Sequence, residues 1–228
     1  MNLIPIQTDA RRMSARNVAK RAAFTVATII VLPGLLSYWL RAWLVGPDRA
    51  LEGSTQLLAQ LPGIAGQYLR RAFLARVLAA CHPSATIEFG TLFSKTCARI
   101  DENVYIGPGC YLGAVHLERN VLLAPGVQVP SGRHTHAIAR SDVAIRDQAG
   151  TRRMIRIGAG TWIGAGAVIM ADVGRDSIVG AGAVVTKPVP DRVMAAGVPA
   201  RVRSSRRVKV RGACPAASLI EQSPSTIW

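Results

Sequence analysis

Two histidines, His134 and His136, stand two residues apart in the segment Arg133-His-Thr-His, at the point where a regular pattern in the chain stops. Histidine, with an ordinary pKa of about 6.5, is largely unprotonated near neutral pH and can accept a proton from a hydroxyl group. The chain has no Gly-x-Ser-x-Gly elbow and no activated-cysteine motif, so nothing points to a covalent acyl-enzyme. Deprotonation of a hydroxyl by one of these histidines is one chemistry open to them. A second chemistry is open. His116 precedes His134 by eighteen residues, and three neutral imidazoles can hold zinc with a position left for water. The bland alternative is that both histidines are polar loop residues.

The histidines open an interruption, residues 134–156, rich in charge (Arg140, Asp142, Arg146, Asp147, Arg152, Arg153, Arg156). A loop of that length inside a compact repeat is usually functional, and insertions in solenoids tend to form binding faces. Arg133 and Asp142 are therefore candidates for holding an acceptor.

Around the interruption the chain is periodic. Ile157, Ile163 and Ile169, then Val179 and Val185, recur at six-residue intervals, mostly followed by Gly and by a small residue four places on. Ahead of the loop the same pattern runs through Ile87, Phe93, Ile100, Ile106, Leu112, Leu117, Leu123 and Val129, slipping by one before Ile100 and before Leu117. A helix repeats near 3.6 and a lone strand at 2. A period of six with Gly is that of a parallel β-helix, in which three hexads close one coil. The fold class expected is mainly β, with an inward aliphatic residue on each rung.

The hexads resemble the hexapeptide-repeat acyltransferases, whose coils are left-handed. The segment Asn120–His134 is similar to the sugar O-acetyltransferase pattern that leads into Thr-His-Pro, which favours His134 over His136 as the base. Trp162-Ile-Gly, Val184-Val-Thr-Lys-Pro-Val-Pro and Ala195-Ala-Gly-Val-Pro-Ala-Arg201 resemble that family's terminal signature. The resemblance implies an acetyl-CoA-dependent O-acetyltransferase, trimeric, with active sites between subunits and no metal. It implies that the Ala165 amide meets the thioester carbonyl and that Trp162 walls the acceptor pocket. Gly164 would supply a small floor, Ala181, Thr186 and Lys187 would line the pantetheine path, and Arg201 would approach the nucleotide phosphates. A second basic position of the family is Ser204 here, with Arg203 or Arg206 nearby. The zinc reading resembles γ-class carbonic anhydrases, but the Trp-Ile-Gly and Val-Thr-Lys-Pro features side with acyl transfer.

The rest of the chain locates this domain. The formal net charge is +15, concentrated at the two ends, which suggests an anionic partner. No groove-reading helix or aromatic-basic RNA motif is present, so nucleic acid is not expected. The four cysteines lack paired spacing and are expected to be small buried residues. Residues 1–83 read as a helical, membrane-seeking region. Arg11, Arg12, Arg16, Lys20 and Arg21 precede Ala22–Leu40, which carries no charge, and Tyr38, Trp39 and Trp43 sit where interfacial aromatics would. Pro33-Gly34 should break a helix there, favouring a bent re-entrant or interfacial hairpin with both ends cytoplasmic. A second helical region, Leu57–Ala80, is expected to break at Leu61-Pro62-Gly63, with Arg70 and Arg71 flanking an apolar stripe. That stripe could lie on a membrane or cover the first coil. Residues 84–204 would form the β-helix, ended by Pro188, Pro190 and Pro199, and residues 205–228 a basic tail. The acceptor implied by such an anchor is a nascent or lipid-linked polysaccharide at the cytoplasmic face of the membrane, with serine or a free sugar as the soluble alternative. A trimeric, membrane-tethered scaffold without catalysis is the non-enzymatic reading.

Overall fold

The computed structural model describes residues 22–132, 142 and 144–205. Among the described residues fifteen short strands wind into a three-sided parallel prism. The first face stacks Ala80–Cys81, Arg99–Ile100, Val115–Leu117 and Ile155–Ile157, extended by single bridges at Val173 and Val189. The second stacks Thr86–Ile87, Tyr105–Ile106, Leu122–Leu123, Trp162–Ile163, Ile178–Val179 and Val193–Ala196, and the third runs from Leu92–Phe93 to Val184–Val185. This is the expected β-helix. Every hexad aliphatic named above is buried, because alternate residues on a strand point to opposite faces and one per rung must fill the axis. The small residue four places on also points inward: Thr91, Cys110, Val127, Ala167 and Ala183 are all buried. Thr91 Oγ1 donates to Gly107 O (3.0 Å) and Thr161 Oγ1 to Gly174 O (2.7 Å), so these interior hydroxyls are satisfied across coils.

Several expectations need correction. The first rung is Ala80–Cys81, four residues ahead of the boundary expected at 84. Cys97 is exposed, because the extra corner residue before Ile100 lets Ala98 take the inward place. Pro188 and Pro190 do not end the solenoid. They flank Val189, whose own N–H still donates to Asp172 O at 2.9 Å, and a further strand, Val193–Ala196, follows. The chain then reverses, and Arg201–Ser205 pairs antiparallel with that strand, closing the last edge.

Four helices precede the prism: α1 (Ala22–Ile30), α2 (Leu32–Val45), α3 (Pro47–Ala59) and α4 (Gly63–Val77). α1 and α2 are bent by 49° at Val31, two residues before Pro33, which falls in the first turn of α2 where its missing N–H costs nothing. The break at Leu61-Pro62 is where the sequence places it, but α3 begins ten residues before the expected start at Leu57. No single described helix is long and apolar enough to cross a membrane; the bent pair together has the length and composition to do so.

Helices α3 and α4 cover the open first coil. Arg70 is buried, its Nε donating to Ile87 O (3.0 Å) and its Nη1 to Leu61 O (2.6 Å), so it serves this cover and does not rim a membrane face. Gly90 N donates to Ala59 O (3.0 Å), Arg71 Nη1 to Ala85 O (3.1 Å) and Thr55 Oγ1 to Phe93 O (3.2 Å). Asp48, in the first turn of α3, accepts from Thr96 N (3.0 Å), Thr96 Oγ1 (3.0 Å) and Lys95 Nζ (2.9 Å). Burial alone would raise the Asp48 pKa, but these donors outweigh it and hold the carboxyl below its ordinary 3.8. A depressed folded-state pKa adds stability above the unfolded value, and that stability fades as pH falls through the folded value. Asp48→Asn should therefore lower Tm at pH 7, with the variant and wild type converging below about pH 4 in a thermal-melt series.

Candidate active site

The corner between the second and third faces repeats a two-residue turn in each coil: Phe89-Gly90, Pro108-Gly109, Pro125-Gly126, Ala165-Gly166 and Ala181-Gly182. The glycines have φ between +64° and +77°, which is why the type is fixed there. From Gly109 onward each glycine N–H bonds to the carbonyl of the turn residue one coil earlier, as in Gly166 N to Pro125 O (2.9 Å) and Gly182 N to Ala165 O (2.8 Å). The first turn residue has no such partner. Pro108 and Pro125 carry no N–H, whereas Ala165 and Ala181 are exposed and their amides donate to nothing among the described residues. Two free backbone donors thus stack on adjacent coils after the loop, on a corner where the preceding two coils have none. Donors held rigidly by a ladder are the kind that stabilise charge developing on a carbonyl oxygen.

The ladder also explains Gly164. A Cβ there would stand 2.4 Å from Ala181 N and 2.8 Å from Gly180 C, so the coils stack this closely only without a side chain. Trp162, half exposed, projects from the second face three residues before Ala165. Arg201 pairs with Ala196 beyond the same corner, and Ala200 N bonds to Val184 O (2.8 Å), so Arg201 tops the column that Ala165 and Ala181 form.

Thr186 and Lys187 lie elsewhere. They follow Val184–Val185 at the corner between the third and first faces, where a cavity of about 310 Å³ is lined by Gly132, Thr151, Arg153, Met170, Ala171, Thr186, Lys187 and Pro188. Within the chain Ala181 and Lys187 are therefore separated by the width of the third face, up to roughly 20 Å for six extended residues. Of the three residues expected to line a pantetheine path, Ala181 thus stands at one corner and Thr186 and Lys187 at the next.

The cavity sits at the root of the loop. Arg153 N donates to Ser131 O (2.9 Å), closing the loop's base, and Ser131 Oγ accepts from Ala114 N (2.8 Å). The returning strand is pinned from both sides. Asp172 pairs with Arg153 and accepts from Arg156 N (3.0 Å), while Glu118 pairs with Arg156 and accepts from Ala159 N (2.9 Å). Burial would raise the Glu118 pKa, but the Ala159 amide and Arg156 together hold it low, so it stays ionised as a brace. Sequence reading missed Ser131, Arg153 and Asp172 as the loop's base, since their pairing depends on the stacking of three coils. It also missed the proline-to-alanine change at the corner, although Gly-Pro-Gly and Ala-Pro-Gly before the loop and Gly-Ala-Gly after it are legible.

Arg133, His134 and His136 lie outside the described residues; Asp142 is described and exposed. His116 Nε2 is 3.1 Å from Asp101 Oδ2 on the first face, and among the described residues no group of three His, Cys, Asp or Glu could hold a metal ion.

Residues 154–187 match the family described as bacterial transferase hexapeptide (six repeats). The match is confined to this stretch of the chain. The matched repeat carries Trp162, Gly164, Ala165, Ala181, Thr186 and Lys187. The fold is similar to a maltose O-acetyltransferase from Clostridium difficile 630, at 22% identity and a TM-score of 0.62, over 72% of this chain and 89% of that one. It is also similar to a galactoside acetyltransferase in complex with coenzyme A, at 20% identity and a TM-score of 0.50, over 77% of this chain and 90% of that one. Both likenesses concern the fold, a left-handed hexapeptide β-helix as the sequence leads one to expect. No curated protein matches the chain by sequence.

Gly164→Ala should force the fourth and fifth coils apart at this corner. A loss of about 1–3 kcal/mol is expected, read as a Tm lowered by several degrees, while Lys187→Ala, on an exposed side chain, should leave Tm unchanged.

Proposed function

We propose that the protein transfers an acetyl group from acetyl-CoA to a carbohydrate hydroxyl, at the cytoplasmic face of a membrane, with a nascent or lipid-linked polysaccharide as acceptor. The observation that carries this reading is the pair of partnerless amides at Ala165 and Ala181, stacked on the two coils that follow the histidine loop. His134 removes the acceptor proton as the hydroxyl oxygen attacks the thioester carbonyl, and His136 is the second candidate for that role. The Ala165 amide donates to the oxyanion. Collapse of the tetrahedral species breaks the carbon–sulfur bond, releases the CoA thiolate to take up the proton, and leaves an acetyl ester on the sugar. Arg201, with Arg203, faces the nucleotide phosphates, and Arg133, Asp142 and Trp162 contact the sugar.

The working unit in this reading is a homotrimer. Trp162 and the Ala165 amide belong to one corner of the prism, and Thr186 and Lys187 to another. Placing the second face of one copy beside a corner of the next brings the two sets together. The exposed outward column of that face, Tyr105, Leu122, Trp162 and Met194, is apolar and supports a neighbour there.

Purified protein with acetyl-CoA and isolated envelope glycan should add acetyl groups detectable by mass. His134→Ala should lower turnover roughly 100-fold or more, with His136→Ala less affected; near-wild-type turnover in His134→Ala would refute the assignment. Acetylation of free sugars or serine in place of glycan would move the acceptor to the soluble class.

Ala165→Pro provides a sharper check. Pro108 and Pro125 occupy the equivalent turn, so the fold should accept the change and Tm should hold, while loss of the amide lowers kcat by about 100-fold or more. Unchanged kcat would remove Ala165 from the oxyanion role.

A further inference from the structure

The apolar N-terminal pair, α1 and α2, has two distinct sides. Ala27, Val31, Leu35 and Tyr38, at spacings of four, four and three, are all buried against the rest of the molecule. The Tyr38 ring meets Phe73 of α4 edge-on at 5.8 Å, Arg41 Nη2 donates to Ser54 Oγ of α3 at 2.9 Å, and the Arg71 guanidinium of α4 stands 5.4 Å from the Phe24 ring centre. The opposite side repeats at three and four residues through Ile29, Leu32, Leu36, Leu40 and Trp43, and all five are exposed, Leu36 at 72% and Trp43 at 82%. A helix that is apolar all round requires a low-dielectric neighbour on every side. Here one side has it and the other does not.

A transmembrane course conflicts with the side that is packed. α3, lying along α2, carries Asp48, Arg49, Glu52 and Gln56, and Asp48 is bonded to the first coil of the prism. Carrying α2 to hydrocarbon depth would take these charged and polar groups with it or tear the helices apart, and charges at that depth are costly. Lying in the interface avoids both. The outer row enters the acyl boundary, the two exposed tryptophans of α2 sit at headgroup level, and α3 stays in water. The sequence just before α1 adds Arg11, Arg12, Arg16, Lys20 and Arg21, which complements anionic headgroups.

We propose that α1 and α2 form a one-sided docking face that lies in the plane of an anionic lipid surface and does not cross it. This rests on the helices alone, and its test requires no turnover, so it stands or falls separately from the acetyl-transfer reading.

The full chain should float with phosphatidylcholine vesicles containing about one-quarter phosphatidylglycerol, and much less with phosphatidylcholine alone. Leu36→Glu combined with Trp43→Glu should weaken vesicle binding by roughly 10-fold or more with Tm unchanged, since both side chains point away from the protein. Depth separates lying from crossing. With Trp162→Phe and Trp228→Phe, the fluorescence of Trp39 and Trp43 should be quenched best by lipids brominated near the headgroup. Ile30→Trp, in a chain whose four native tryptophans are Phe, should report the same shallow depth. Mid-bilayer quenching at position 30 would overturn the proposal. So would a chain that ignores vesicles but forms an assembly broken by the Leu36→Glu, Trp43→Glu pair, which would assign the face to a second copy.

Discussion

Every feature of this molecule depends on coils that return to the same place. A parallel β-helix pairs each short strand with one a coil above and one a coil below, so the backbone bonds are made between coils rather than within them. That demands one inward residue per rung and corners of constant shape. It also leaves the first and last coils with unpaired groups. The first coil is covered by α3 and α4, where Arg70, Thr55, Ala59 and Asp48 meet its backbone, and the last by the reversed strand Arg201–Ser205. The helices are therefore structural in the strict sense that they satisfy an edge, and α1–α2 is held in place by them.

The candidate site follows from the same ladder. The corner glycines bond from coil to coil, and the residue before each one has no ladder partner for an N–H. Where that residue is proline, the corner is inert. Where it is alanine, after the loop, the corner offers rigid donors. No cleft has to be carved. The geometry that stacks Gly164 against Ala181 without room for a side chain is what holds the Ala165 amide steady. The loop enters at a different corner, and its root is braced by Arg153, Asp172, Arg156 and Glu118 on three successive coils.

Helices α1 and α2 have a different relation to this core. The bent apolar pair has spent one side on Tyr38, Leu35 and their neighbours and offers the other outward. Enzymes that act on large, surface-bound acceptors benefit from such an arrangement, because a reaction confined to a plane raises the encounter frequency without tightening the site.

By itself the sequence determined the coil. Period six, with Ile, Leu and Val on one position and small residues four places on, admits little else, and every one of the aliphatic rung residues is inside. It also marked His134 as the start of the interruption and Gly164 to Lys187 as the chemically suggestive rungs. It could not decide what Arg70 does, because a helical stripe rimmed by arginine looks the same whether it faces lipid or an open sheet edge. Nor could it place the prolines at 188 and 190, since whether a missing N–H ends a ladder depends on which neighbours need it. Only the tertiary structure separated Ala181 from Lys187, because sequence proximity on a three-sided coil says nothing about which corner a residue occupies. It alone gave α1–α2 an inner and an outer side, since a helix with apolar residues on both sides acquires sidedness only from what packs against it.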